Sequence, residues 1–119
     1  MAVSVAGGIG ALVRYGLQKA LPATGSGIPR AVLVVNLVGS LLAGVTVALT
    51  VGGAIPSLAG AVVVAGFCGG LTTFSTFAVE TAELVRAKAV RSAWLNIVIN
   101  VVGGVGLAVV GFVVTQSLL

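Results

Sequence analysis

Five consecutive residues, Gly69-Gly70-Leu71-Thr72-Thr73, decide how this chain folds, because they interrupt the third of its four long apolar segments. That segment runs over residues 57–86, and a continuous helix of this length would measure roughly 45 Å, against a hydrocarbon core of about 30 Å. Helix propensity is lowest at the glycine pair, so we expect two half-helices joined by unwound backbone near residues 69–73. Unwound backbone inside a membrane must be buried in protein or line a wet cavity. The break therefore predicts a site.

The composition of the chain indicates that lipid surrounds it. Of the 119 residues, 59% are hydrophobic and 7% are charged, and the mean hydropathy is +1.28. A soluble domain has roughly a quarter of charged residues. We therefore predict an all-α integral membrane protein, a single domain over residues 1–119 with four transmembrane helices, the third of them broken in mid-membrane. The predicted spans cover residues 3–21, 31–51, 57–86 and 92–117, with a loop at residues 24–29 after the first.

The same composition excludes several classes of function. The chain has no histidine and only one cysteine, Cys68, so it lacks the ligands of a Cys/His metal site. Its two carboxylates, Glu80 and Glu83, lie near a helix end and no Ser/His/Asp set exists, so we expect no enzyme. The formal net charge is +4, but the six basic residues are scattered between apolar segments, which argues against binding of nucleic acid.

The positions of the basic residues predict how the chain is oriented. With four spans, the first and third loops lie on one side of the membrane, and the other side has no Lys or Arg. Cytoplasmic loops carry the excess of basic residues, so the basic side is cytoplasmic. We expect a multi-pass protein of the cell membrane with both termini outside. The residues on the basic side are Lys19, Arg30, Arg86, Lys88 and Arg91.

Small residues recur at a spacing of four along the predicted helices, and such faces let helices approach closely. A four-span chain of this size hardly encloses an aqueous path by itself. We therefore expect these faces to serve a dimer interface as well as packing within the chain. The pairs are Gly7/Ala11, Gly39/Ala43, Ser40/Gly44 and Asn100/Gly104.

Polar side chains inside the apolar segments mark a candidate ion path. Arg14 lies midway along the first span, where it either extends toward the membrane edge marked by Lys19 or presents a fixed positive charge to an anion. Asn36 lies in the second span, and Asn96 and Asn100 form an i, i+4 pair in the fourth. Their amide groups either hold helices together or donate hydrogen bonds to an anion.

The residues after the break continue this path. Phe74 and Phe77 are three positions apart and share one helix face, beside Ser75 and Thr76. Aromatic residues at this spacing are ordinarily core or lipid-facing, but the positive edges of two rings can also solvate a small anion without holding it tightly. Glu80 belongs to a polar stripe on the same half-helix.

Three motifs occur in order along the chain. They are Gly7-Gly8-Ile9-Gly10-Ala11-Leu12-Val13-Arg14-Tyr15, Val35-Asn36-Leu37-Val38-Gly39 and Gly66-Phe67-Cys68-Gly69-Gly70-Leu71-Thr72-Thr73-Phe74-Ser75-Thr76-Phe77. Together they resemble the fluoride-specific ion channels called CrcB or Fluc. The resemblance covers all four spans and is weakest in the fourth, where Asn96 and Asn100 stand at positions that carry hydroxyl groups in several members. It implies an antiparallel dimer with two pores that passively exports fluoride and lowers its concentration in the cytoplasm.

The resemblance also implies roles for individual residues. One structural sodium ion (Na+) would lie at the centre of the dimer, bound by the backbone carbonyls of Gly69 and Thr72. Arg14 would attract the anion, and Glu80 would be a carboxylate next to the pore. The fluoride pore would be lined by Phe74, Phe77, Asn36, Ser75, Thr76, Asn96 and Asn100.

Two other functions fit a four-span chain of this length. A small multidrug-type exporter needs an embedded carboxylate in its first span, where this chain has Arg14. A non-conducting partner subunit has no need of a path lined by hydrogen-bond donors. Because the basic residues favour one orientation, we expect an antiparallel dimer with an oppositely oriented paralogue, and a homodimer is the alternative.

Overall fold

The computed structural model describes residues 1–23 and 27–119, and these two ranges form helices and turns without a strand. Two of the helices contain a π-helical segment, at Val62–Cys68 and at Ile99–Gly103. The helix ends lie within two residues of the predicted segment ends, and part of the predicted loop at residues 24–29 falls outside the described residues. The helices are α1 (Ala2–Ala20), α2 (Arg30–Val51), α3 (residues 57–71), α4 (Phe74–Arg86) and α5 (Val90–Leu118).

Three helical stretches of the described chain are long and apolar enough to cross a membrane, namely Arg30–Val51, Ser57–Arg86 and Val90–Leu118. α1 has 19 residues and contains Arg14 and Lys19, which lower its hydropathy, so a crossing by α1 stays a prediction. The outer face of α5 carries large exposed apolar side chains, as a helix against lipid does.

The break in the third segment lies at Thr72 and Thr73. Both residues are extended, with φ −78° and ψ 160° at Thr72 and φ −151° and ψ 124° at Thr73. Gly69 keeps α-helical angles of φ −62° and ψ −36°. The break is thus at the C-terminal end of the predicted interval and not at the glycine pair, because tertiary contacts override the weak helix propensity of glycine there.

Those contacts are backbone-to-backbone approaches between α1 and α3. A Cβ atom at Gly70 would overlap the carbonyl oxygen of Gly7, and a Cβ at Gly10 would overlap the carbonyl oxygen of Phe67. The absence of a side chain at these positions brings the two helices together. The glycine pair therefore serves helix packing, and the bend in the chain is made by the threonines that follow.

α2 packs along α5 in the same way. A Cβ at Gly44 would overlap the backbone of Ala108, and a Cβ at Gly111 would come within 2.8 Å of the Leu41 carbonyl oxygen. At Gly39, α2 instead approaches the side-chain methyl group of Thr72. The small-residue faces predicted from the sequence are therefore used inside the chain, and a role in a dimer interface stays a prediction.

The two loops with basic residues meet at one end of the helix bundle. A cavity of about 170 Å³ at this end is lined by residues from both, among them Ala23 and Pro29 beside Glu83 and Ala87. The basic side chains at this end are all exposed. The arrangement predicted from the four segments, with the first and third loops on one side, is thus present in the fold.

The turn between α4 and α5 has a residue in the left-handed conformation. Lys88 has φ 59°, and its N–H donates to the Val85 carbonyl over 3.0 Å. The next residue, Ala89, donates to the Leu84 carbonyl over 2.8 Å. This pair of bonds ends α4 in a Schellman motif, in which the left-handed position is usually glycine.

Candidate functional site

The candidate site is built around the backbone of Thr73, which the side chain of Asn36 holds from both sides. The Thr73 N–H donates to Asn36 Oδ1 over 2.9 Å, and Asn36 Nδ2 donates to the Thr73 carbonyl over 3.2 Å. In a continuing helix the Thr73 N–H would donate to the Gly69 carbonyl. The Gly69 carbonyl is thereby released from the helix, whereas the preceding carbonyl of Cys68 still accepts from the Thr72 N–H over 2.9 Å.

Three asparagines continue from this point as a ladder of hydrogen bonds across the bundle. Asn36 Nδ2 donates to Asn100 Oδ1 over 2.9 Å, and Asn100 Nδ2 donates to Asn96 Oδ1 over 2.9 Å and to its carbonyl over 3.0 Å. Asn96 Nδ2 donates to Thr81 Oγ1 over 2.9 Å, and Thr81 Oγ1 donates to the Phe77 carbonyl over 2.7 Å. The asparagine ladder therefore joins α2, α5 and α4 through side chains that face the interior.

The side chain of Thr73 organises the start of α4. Its Oγ1 accepts from the Thr76 N–H over 3.2 Å, which is the bond of a helix N-cap. The same hydroxyl lies 3.1 Å from Thr76 Oγ1 and 3.3 Å from Ser75 Oγ. Three hydroxyl groups are thus gathered at the first turn of the helix after the break.

A cavity of about 260 Å³ lies between the break, α2 and α5. Phe77 forms its buried side, and Phe74, which is 78% exposed, stands where it opens to the surface of the chain. The two rings lie 5.7 Å apart between centroids and are tilted by 53°. The cavity is therefore partly polar and partly aromatic. Its lining residues are Asn36, Ser40, Thr72, Thr73, Phe74, Phe77, Asn100 and Val101.

Arg14 reaches the break from the side of α1. Its Nη1 donates to the Thr72 carbonyl over 3.3 Å, and the side chain is half-buried. Within residues 1–23 and 27–119, no carboxylate forms an ion pair with it. The guanidinium is therefore directed at the unwound backbone, and its positive charge is available to a nearby anion.

The carbonyls predicted to bind a cation differ in their surroundings. Gly69 is exposed, and its carbonyl lacks the Thr73 N–H that would be its partner in a continuous helix. Lipid offers this oxygen no hydrogen-bond donor, so the oxygen is suited to bind a cation. The Thr72 carbonyl already accepts from Arg14, although a carbonyl oxygen has a second lone pair. The described residues contain no cluster of three or more His, Cys, Asp or Glu.

Glu80 lies apart from this cavity. It faces a smaller cavity of about 150 Å³ toward the basic end of the bundle, which also contains Gln18 and Pro29. One of its carboxylate oxygens, Oε2, is buried and has no hydrogen-bond partner within the described ranges. Glu80 therefore lies apart from the other predicted site residues. The cavity at the break is lined by Asn36, Asn100, Phe74 and Phe77. Hydrogen bonds to residues of this cavity are formed by Asn96, Ser75, Thr76 and Arg14.

Comparison with known proteins identifies the family. A family model described as "CrcB-like protein, Camphor Resistance (CrcB)" matches residues 1–112 of the chain. The chain belongs to the CrcB family. The resemblance found in the three motifs is thereby confirmed.

Relatives of this CrcB-family chain cover nearly its whole length. A protein of Thermobifida fusca named "Fluoride-specific ion channel FluC 1" is 44% identical over 109 residues, which cover 91% of this chain and 88% of the relative. Two archaeal proteins are named "Fluoride-specific ion channel FluC". The one from Methanocaldococcus jannaschii is 42% identical over 85% of this chain and 81% of its own. The one from Pyrococcus furiosus is 40% identical over 96% of this chain and 93% of its own.

Three residues of the site in this CrcB-family chain were not among the predicted ones. Thr73 is part of the break and bonds to Asn36, Thr81 is the last residue of the asparagine ladder, and Ser40 lines the cavity. Threonine is a preferred N-cap residue, and its position just before the predicted second half-helix is the signal that points to Thr73. Ser40 follows Asn36 by one turn of α2, and this spacing is a signal for it. No comparable signal exists for Thr81, because a single hydroxyl in a helix commonly bonds to its own backbone.

Proposed function

We propose that this chain is a subunit of a passive, fluoride-specific ion channel that exports fluoride from the cytoplasm. The observation that supports it is the cavity at the break, where two phenylalanine rings lie beside the asparagine ladder. The relatives that carry the name fluoride-specific ion channel cover the same length of chain. Membership of a family whose relatives are named as ion channels supports a channel and not an enzyme.

The proposed pore runs along the ladder past Phe77 and Phe74. The partly positive ring edges and the hydroxyls of Ser75 and Thr76 replace the water of a small anion, and Arg14 raises the local anion concentration. Asn36, Asn96 and Asn100 form the polar wall of this pore. Glu80 stands toward the basic end, which would place it beside the cytoplasmic mouth.

We propose that a structural sodium ion binds the carbonyl of Gly69 and the second lone pair of the Thr72 carbonyl. When bound, such an ion supplies a fixed positive charge that satisfies oxygens which the unwound backbone has released. Within this chain, Gly69 is an exposed residue, and Arg14 already donates to the Thr72 carbonyl. Two chains that meet at Gly69 would share the ion.

The proposed assembly is an antiparallel dimer of four-span subunits in the cell membrane. We count α1 as a span beside the three long apolar helices, which gives four. The basic end of the bundle faces the cytoplasm, so both termini lie outside. The cavity opens to the surface at Phe74, which supports a partner that closes it. The charge bias favours an oppositely oriented paralogue as this partner, and a homodimer is the alternative.

The driving force for export needs no coupled ion. Fluoride is the anion of a weak acid, and it accumulates because the neutral acid crosses membranes and ionises in the less acidic cytoplasm. A membrane potential that is negative inside favours its departure by about 2.3 kcal/mol per 100 mV. A selective passive pore therefore suffices to lower the cytoplasmic concentration.

Fluoride efflux from proteoliposomes tests the proposal. Vesicles loaded with potassium fluoride and containing the chain, alone or with a partner, should release fluoride when valinomycin sets a potential, and vesicles loaded with chloride should not. Phe77→Ile, which keeps an apolar side chain but removes the ring, should slow release by at least about tenfold, equivalent to roughly 1.4 kcal/mol in the barrier. Phe67→Ile, on α3 and away from the cavity, is the matched control. An absence of fluoride release in every pairing would refute the channel.

A further inference from the structure

We infer that Asn36 is the residue that keeps the third segment broken, by binding both polar groups of the Thr73 backbone. The inference concerns the backbone and goes beyond the proposed pore. Its consequence for conduction rests on the proposed function. Asn36 forms two hydrogen bonds with Thr73, and the asparagine ladder fixes the position of Asn36.

The first step is the choice between two partners for the Thr73 N–H. A continuous helix would pair it with the Gly69 carbonyl, and the structure pairs it with Asn36 Oδ1 at 2.9 Å. The Thr73 carbonyl would likewise accept from a residue of the following turn, and it accepts from Asn36 Nδ2 at 3.2 Å. One side chain therefore takes both polar groups of the residue at which the helix would otherwise continue.

The second step is that the carboxamide has one possible orientation. A backbone N–H can face only the amide oxygen, and a backbone carbonyl only the amide nitrogen. The remaining proton of Asn36 Nδ2 donates to Asn100 Oδ1 at 2.9 Å. Asn36 thus has no proton left for an anion, and both amide protons of Asn100 are likewise used, on the side chain and carbonyl of Asn96.

The third step is that α2 presents Asn36 from a rigid position. Val32 and Val35 beside it are 1% and 0% exposed, so this turn of α2 is fixed by packing. Three residues further along the same face, Gly39 receives the methyl group of Thr72. This face of α2 therefore contacts both threonines of the break. Gly39 leaves space for the methyl group of Thr72, and Asn36 forms two hydrogen bonds with Thr73.

Threonine labelling gives a direct readout of this role. Thr72-Thr73 is the only Thr-Thr pair in the sequence, so protein grown with ¹³C,¹⁵N-threonine has a single peptide unit labelled on both sides. Nuclear magnetic resonance of that unit reports the Thr73 Cα shift, which distinguishes extended from helical backbone, and the exchange of its amide proton. In Asn36→Ala we expect a shift toward helical values and exchange at least about tenfold faster, the equivalent of one lost hydrogen bond.

Asn100→Ala is the matched control, because it removes a carboxamide from the same ladder and leaves both bonds to Thr73. It should leave the Thr73 shift and exchange unchanged. If Asn36→Ala does not give folded protein, Asn36→Asp takes its place, since its carboxylate still accepts from the Thr73 N–H and should retain protection. A Thr73 unit that stays extended and protected in Asn36→Ala overturns the inference, as does equal loss in Asn100→Ala or lost protection in Asn36→Asp.

Fluoride efflux of the same variants separates this inference from the proposed function. Efflux lost in Asn36→Ala together with the change at Thr73 supports a positioning role. Efflux lost while Thr73 stays unchanged means that Asn36 acts on the ion, which overturns the inference and leaves the channel standing. If the unaltered chain carries no fluoride, the channel fails, and the labelled peptide unit still decides what Asn36 does.

Discussion

A carboxamide carries one acceptor oxygen and two donor protons, and this chain places three carboxamides in one line across its interior. In an apolar surrounding, each unsatisfied polar group costs a few kcal/mol. The ladder satisfies Asn36 and Asn100 within the protein and satisfies Thr73 at the same time. The side chains of the ladder therefore associate the helices, and their role as a polar pore wall stays a proposal.

Gly70 tests whether the approach of α1 to α3 is essential. Gly70→Ala would place a methyl group on the Gly7 carbonyl, and backbone cannot move aside as a flexible side chain can. We expect a loss of about 2 kcal/mol or more in the free energy of unfolding. Cys68, the single cysteine, is buried, so a thiol-reactive dye reports thermal unfolding in detergent without further labelling.

The matched control for this variant is Gly8→Ala. Gly8 follows Gly7 on α1 but is exposed, and an added Cβ would meet no atom within 4 Å. The unfolding temperature of Gly8→Ala should stay equal to or slightly above that of the unaltered chain, since alanine favours helix. Equal stability of the two variants would contradict a backbone contact at Gly70.

Individual site residues are predictable from sequence when their chemistry contrasts with their surroundings. Asn36, Asn96 and Asn100 stand out as amides in apolar segments, and the structure links all three. Hydroxyl residues give no such contrast. Thr46 and Thr50 donate to carbonyls four residues earlier, and nothing in the sequence separates them from Thr81, which serves the ladder.

At the scale of helices, the break was predictable in existence and only approximately in position. The excess length of residues 57–86 over a bilayer requires a tilt, a protrusion or an interruption. Where the interruption falls depends on which residues find partners, and Asn36 is 37 positions away from Thr73 in the sequence. The π-helical segments were not predicted, because one additional residue in a turn leaves an apolar segment apolar.

The turn between α4 and α5 offers a stabilising change. A residue other than glycine in the left-handed conformation is disfavoured by about 1 kcal/mol, and Lys88 has φ 59°. Lys88→Gly removes the clash at some cost in unfolded-state entropy, so we expect a net gain of about 0.5 kcal/mol in the free energy of unfolding. The thiol assay on Cys68 measures it.

Lys88→Ala controls for the loss of charge at the same position. It removes the ammonium group and keeps a Cβ atom in the left-handed conformation, so it should give no gain. If Lys88→Ala stabilises as much as Lys88→Gly, relief of charge repulsion at the basic end is the cause, and the conformational explanation is wrong.

For the whole molecule, the end of the bundle that carries the basic residues was easier to predict from sequence than the contacts between helices. The end that carries Lys19, Arg30 and Arg86 is one end of the bundle because helices joined by short connections run in alternating directions. The fit of one helix against another was not predictable, since it depends on which glycine meets which carbonyl. Gly44 against Ala108 is such a pair.

The orientation of the molecule is testable with a tag on its C-terminus. In right-side-out vesicles, an external protease should remove the tag from nearly all copies, because the opposite end holds the basic residues. A triple variant with Arg86, Lys88 and Arg91 changed to Ser should give a mixture of protected and cleaved copies. Equal populations in the unaltered chain would contradict a fixed orientation and would favour the homodimer.

The bracket around Thr73 also sets an order of events during synthesis. Translation delivers Asn36 to the membrane first, then Thr73 and finally Asn100, so the parts of the ladder arrive in sequence. The third segment, 30 residues long, can enter as one uninterrupted helix and divide when it docks against α2. Asn100 then completes the ladder as the last helix arrives. A nascent chain stopped before residue 100 would already hold its break with Asn36 alone, so the break forms before the ladder is complete.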